Sequence, residues 1–127
     1  GVESALVEGM NVKVNAVLLR PWAETQLRDF TAWLKDMPVT VRFIELMETG
    51  QHKAFFKSHH VSAEPHLAAL KAQGWQPLPR GKDAGPAVEL SHPDYVGRIG
   101  FIMPYSSDFC DSCNRLRITA PTKLHLC

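Results

Sequence analysis

The chain has 127 residues, 45% of them apolar and 21% charged, and its formal net charge is +1. This is globular composition with room for one domain and an ordinary core. It excludes a protein that holds nucleic acid through a broad basic field. No apolar run approaches the ~20 residues of a membrane span, and no basic-then-apolar leader opens the chain. The default expectation is a cytoplasmic protein without membrane or nucleic-acid partners.

In chain order, Val2, Leu6 and Met10 recur at helical spacing, and Gly9 ends that short helix. Residues 12–19, V-K-V-N-A-V-L-L, form a β-branched run that predicts a strand. Its alternation turns Val12, Val14, Ala16 and Leu18 to one face and Lys13, Asn15 and Val17 to the other. A helix is predicted over about 23–36, with Leu27, Phe30 and Leu34 on its apolar stripe. Pro38 punctuates, and residues 39–47, V-T-V-R-F-I-E-L-M, predict a second strand.

Strand, helix and strand at these lengths make a βαβ unit with parallel pairing. A parallel strand buried on both faces is continuously apolar, yet Lys13 and Asn15 stand on one face of the first strand. Two readings stay open. Either the polar face lines a barrel or trough that holds a ligand, or Lys13 solvates an exposed edge. Glu45 is equally undecided between a buried, paired carboxylate and a functional one.

Ser62 is placed to cap a helix running to about Ala72, with Gly74 just past its end. Residues 75–86, W-Q-P-L-P-R-G-K-D-A-G-P, read as a connector and mark a change of architecture. Short strands follow at about 87–90 and 97–103, separated by the turn-like H-P-D-Y. A hairpin is predicted from 114–119 and 123–127 around Ala120-Pro121-Thr122. On it Arg115, Arg117 and Thr119 share one face, and the leucine face is expected to pack on the body of the domain. His52, His59, His60 and His66 show no metal spacing and read as surface or loop residues.

All three cysteines fall in the last eighteen residues, C-D-S-C-N-R-L-R-I-T-A-P-T-K-L-H-L-C. An odd count gathered at one end is poor material for disulfides and fits metal binding in a reducing compartment. Three thiolates hold an iron–sulfur cluster on three corners and leave one iron open. With His125 they also make a Cys3His zinc site. Spacing alone leaves both open, beside the bland alternative of three unrelated core thiols. Arg115 and Arg117 offer planar donor forks suited to phosphate, although alternating arginines are commonly an exposed strand face. Met47, at a strand end, reads as core filler.

Taken together, K-V-N-A-V-L-L, V-R-F-I-E-L-M-E-T-G, G-F-I-M-P-Y-S-S-D-F-C-D-S-C-N-R-L-R and K-L-H-L-C resemble the GTP 3′,8-cyclase family of radical S-adenosylmethionine enzymes. These enzymes open molybdenum cofactor biosynthesis. The resemblance implies an α/β fold: the last βα units of a partial TIM-type barrel over residues 1–74, then a small α+β auxiliary-cluster module over 75–127. It implies an auxiliary 4Fe–4S cluster on Cys110, Cys113 and Cys127 whose open iron takes the guanine of GTP. Arg115, Leu116, Arg117 and Lys13 would contact GTP, and Met47 would line the S-adenosylmethionine site. A 5′-deoxyadenosyl radical would take a hydrogen from the ribose, whose carbon then bonds to C8 of the base.

The same resemblance implies an electron donor and a second 4Fe–4S cluster in the complete protein, with a homodimer also in view. The C-x-x-x-C-x-x-C that holds this second cluster does not occur in the 127 residues, nor does the family's tail with paired glycines. The two ends read as cut, so the chain is expected to be a fragment that cannot cleave S-adenosylmethionine alone. The competing class is a zinc-stabilised module whose Arg115, Arg117 and Lys123 contact nucleic acid or an acidic partner.

Overall fold

A computed structural model describes residues 1–79, 81, 85–107, 109 and 116–126, with the backbone alone at 116, 117, 125 and 126. Chain order runs α1 (Val2–Val7), β1 (Lys13–Leu18), α2 (Ala23–Trp33), β2 (Thr40–Glu45), α3 (Lys53–His59) and α4 (Glu64–Ala72). It continues through β3 (Gln76–Pro77), β4 (Val88–Ser91), β5 (Arg98–Ile102), β6 (Leu116–Ile118) and β7 (Leu124–Leu126). Among the described residues the strands form a five-stranded sheet, ordered β1-β2-β5-β4-β3, and a separate β6–β7 hairpin. The mixed α/β character expected from the sequence is present. β1 pairs parallel with β2, as the βαβ reading required, and β2 pairs parallel with β5. β4 and β3 complete the sheet in antiparallel fashion. Strands on the two sides of position 74 therefore share one sheet.

The alternation read from β1 holds in three dimensions. Leu18 is fully buried, Val14 and Ala16 are half-buried, and Lys13, Asn15 and Val17 are exposed. On the covered face Val41 and Phe43 of β2 meet Ile99 and Phe101 of β5, all without solvent exposure. Phe43 stacks near Phe101 at 5.9 Å between ring centroids and takes the edge of Phe30 from α2 at 5.6 Å. Leu27 of α2 and Leu70 of α4 close this layer. Such a helix-covered face is where the hydrophobic stabilisation of the fold resides.

Gly97 immediately precedes β5 at a point where nothing larger fits. A Cβ there would lie 2.5 Å from both Leu34 Cδ2 and the Met37 carbonyl oxygen. The strand docks by backbone bonds, with Gly97 N donating to Leu34 O and Arg98 N to Val39 O, both at 2.9 Å. Gly74, past α4, sits at φ +97° in the left-handed region that ends helices.

Several expectations change. α2 and β2 are shorter than predicted, stopping at Trp33 and Glu45. Ala63 rather than Ser62 precedes α4, although Ser62 Oγ still accepts from Glu64 N at 3.3 Å. The supposed connector contains β3, and its Trp75 is buried against Tyr95 at 4.7 Å. α3 lies in a stretch for which no element was predicted. The predicted packing of the hairpin's leucine face fails at Ile118 and Leu124, which stand directly opposite one another and are 77% and 63% exposed; the side chains of Leu116 and Leu126 lie outside the described ones. Among the described residues β6 and β7 pair only with each other and add to no strand of the larger sheet.

Candidate functional site

Opposite the helix layer, the sheet presents a face whose chemistry is graded along the strands. Register aligns Lys13 with Thr40 and Arg98, then Asn15 with Arg42, Gly100 and Glu89. Residues in register on neighbouring strands share a face, so this end carries three cations and one carboxylate. Lys13 Nζ reaches Glu89 Oε1 at 3.2 Å, spanning β2 and β5, and Arg42 Nε donates to Asn15 Oδ1 at 2.9 Å. Gly100 makes room for both groups: a Cβ there would sit 3.3 Å from the Cγ atoms of Arg42 and Glu89. Lys13 combines features of both readings, since its side chain is 41% exposed and yet pairs across the face. Although β1 is an edge strand of the described sheet, its lysine lies inward across the face. Further along the strands the same face turns apolar, at Val17, Ile44 and Ile102.

Met47 lies two residues beyond β2, half-exposed, roughly 20 Å from the Lys13 register position at ~3.3 Å per residue. It is not core filler. With Leu46, Thr49, His52, Phe55 and Phe56 it lines a cavity of about 350 Å³. Behind it the carboxylate of Glu45 is 2% exposed, accepts from Ala63 N at 2.7 Å and lies 3.6 Å from His60 Nε2. Glu45 is therefore a buried carboxylate bonded to the Ala63 amide. His60 is a loop residue, as read, but half-buried and packed on Phe56 at 4.7 Å, whereas His66 is half-buried within α4.

Leu116 and Arg117 stand on β6, opposite Leu126 and His125. Arg115, Cys110, Cys113 and Cys127 lie outside the described residues. Among the described residues no group of three or more His, Cys, Asp or Glu side chains could hold a metal. Sequence reasoning missed Arg42 and Arg98 as members of the polar face. The available signal was parity, since Thr40, Arg42 and Ile44 alternate with the buried Val41 and Phe43.

The pattern described as Molybdenum Cofactor Synthesis C matches residues 39–127. The chain belongs to this family. Proteins named GTP 3′,8-cyclase are similar along it: that of Actinobacillus pleuropneumoniae serotype 5b is 51% identical over 128 residues. That of Yersinia pestis is 50% identical over 128 residues, and that of Stenotrophomonas maltophilia 52% over 116. These alignments cover 100%, 100% and 91% of the chain but only 38%, 39% and 36% of the relatives, so the chain spans under two-fifths of their length. The Molybdenum Cofactor Synthesis C match takes in β2 through β7, and the relatives' identity extends over α1 and β1 as well. No described helix is long and apolar enough to cross a membrane.

Do the residues present fit a phosphorylated nucleotide? The face supplies a lysine and two arginines against a single glutamate, with the Arg42 and Glu89 stems packed over the buried Gly100. That donor set suits a polyanion. For an iron–sulfur cluster the fit rests on ligand chemistry alone, three thiol-bearing residues being the soft donors such clusters take.

Proposed function

We propose that this segment is the substrate-holding part of a GTP 3′,8-cyclase, and that GTP lies along the open face of the sheet. The observation that carries the reading is the gradient on that face. Lys13, Arg42 and Arg98 gather at one end, and Val17, Ile44 and Ile102 lead towards Met47 at the other. A triphosphate takes the cationic end, where phosphate oxygens replace Glu89 as the partner of the Lys13 ammonium. The apolar end leaves ribose and base in a drier setting, close to the S-adenosylmethionine that Met47 would line. Charged groups pointing into the interior of a sheet also accord with the lumen of a barrel completed by further strands.

Cys110, Cys113 and Cys127 are the proposed ligands of an auxiliary 4Fe–4S cluster, and Arg115, Leu116 and Arg117 further contacts to GTP. When bound, the clusters and S-adenosylmethionine supply the one-electron and radical chemistry. The chain's own part is orientation: lysine and arginines fix the nucleotide at several points, so that its ribose is presented in one pose. In this reading residues 1–74 belong to the barrel and 75–127 to the auxiliary-cluster module, whose β5 continues the barrel's sheet beside β2. The complete protein brings the second 4Fe–4S cluster, an electron donor and a cytoplasmic setting, with a homodimer as its assembly. The segment alone is inactive.

Anaerobic reconstitution tests the proposal. Iron and sulfide in equal amounts, with an absorption spectrum perturbed by GTP, are expected from the segment and are lost in Cys110→Ala, Cys113→Ala and Cys127→Ala. A single colourless zinc would point instead to the zinc-stabilised binding module. Release of 5′-deoxyadenosine by the segment alone would overturn its inactivity.

A further inference from the structure

The loops that leave the C-terminal ends of the three parallel strands converge on His59 and His60. After β1, Arg20 donates from its backbone N to His59 O at 2.8 Å and from Nε to His60 O at 3.0 Å. At the end of β2, Glu45 reaches Ala63 N and faces His60. After β5, Tyr105 sets its ring edge-on to His60, 5.3 Å between centroids, and its hydroxyl accepts from Glu48 N at 2.8 Å. Met47 is thus held from both sides, by Glu45 two residues before it and by the Glu48 amide one residue after it. The segment between them has no strand partner, so these bonds do for it what a ladder does elsewhere.

We propose that Glu45 and Tyr105 are positioning residues for Met47, and that their bonds set the affinity of the S-adenosylmethionine subsite. This rests on the reading of Met47 given above. The two residues do different parts of the work. Glu45 is buried and joins the end of β2 to the start of α4, so it fixes where the strand stops. Tyr105 comes from the loop leading to Cys110 and ties that loop to the one bearing Met47. The post-β5 loop is thereby coupled to the Met47 segment through the Tyr105 hydroxyl, alongside the ring's contacts with Phe56 and His60. Tyr105 touches no reacting group in this scheme; it acts through the Glu48 amide.

The test uses the full-length cyclase carrying this segment, with both clusters reconstituted. Tyr105→Phe removes one oxygen from a half-exposed ring and leaves the fold standing. It is expected to speed hydrogen exchange at the Glu48 amide and to weaken S-adenosylmethionine binding about fivefold, as loss of one hydrogen bond does. GTP affinity and the unfolding midpoint stay unchanged. Glu45→Ala weakens S-adenosylmethionine more, and Glu45→Gln, whose Oε1 still accepts from Ala63 N, recovers most of the loss. Met47→Ala separates the two layers of the argument. If Met47→Ala weakens S-adenosylmethionine while Tyr105→Phe does not, the positioning role is overturned and the Met47 reading stands. If Met47→Ala leaves that affinity unaltered, the Met47 reading falls and takes the proposal with it. An equal loss of GTP and S-adenosylmethionine affinity in Tyr105→Phe, with a lowered midpoint, would also overturn the proposal, because it marks a merely structural role.

Discussion

The two faces of the five-stranded sheet are built from the same strands and do opposite things. One carries Val41, Phe43, Ile99 and Phe101, all without exposure, beneath α2 and α4. The other carries Lys13, Arg42, Arg98 and Glu89, with Gly100 opening space between them. Period-two alternation lets one strand serve both duties without conflict. In the proposed reading, stability and ligand recognition fall to separate residues that are chain neighbours.

That division can be broken experimentally, beginning on the covered face. Phe43→Ala removes a ring packed against Phe30 and Phe101 and is expected to cost about 3–5 kcal/mol. Chemical denaturation reads it as a large fall in the unfolding midpoint. Gly97→Ala, which forces a methyl group onto the Met37 carbonyl and Leu34, is expected to cost about 1–3 kcal/mol in the same assay. An unchanged midpoint there would show that β5 is free to shift. On the open face the pattern reverses. Lys13→Ala should leave the midpoint within about 0.5 kcal/mol, because its pair with Glu89 is partly exposed. In the full-length cyclase it should weaken GTP by about tenfold or more, the effect of losing a charge-assisted bond to phosphate. The smallest effect is expected on the hairpin: Ile118→Ser, at a site 77% exposed, should move the midpoint by no more than about 0.5 kcal/mol. A larger loss would show that its apolar face is covered in solution.

How much of this was legible beforehand depends on how local the signal is. β1, α2, β2 and α4 announce themselves through short-range periodicity, and the two-faced character of β1 was readable from Lys13 and Asn15. The insertion of β5 between β2 and β4 was not. Nothing in a local period tells a strand which partner it will meet across residues 46–97. For the same reason Arg42 and Arg98 went unread as companions of Lys13, since they join it only through sheet register. α3 escaped because it is one short element with no side-chain cap. Its trace was the pairing of Phe55 with His59 and Phe56 with His60, four apart, whose rings stack at 4.1 and 4.7 Å. The clasp around Met47 depends on Tyr105 meeting an amide 57 positions away, a contact without any sequence signature. The cysteine spacing was the strongest sequence signal, and it falls outside the described residues.

The placement of β5 carries a temporal cost during synthesis. β2 can add β1 as soon as both have left the ribosome, but its other flank must wait for a partner that begins at Arg98. At ~5–20 residues per second that delay is several seconds. Throughout it Val41 and Phe43 lie along an unfinished edge, where stray strands could pair. The nascent chain is thus most in need of chaperone shelter after its second strand emerges and before its fifth arrives.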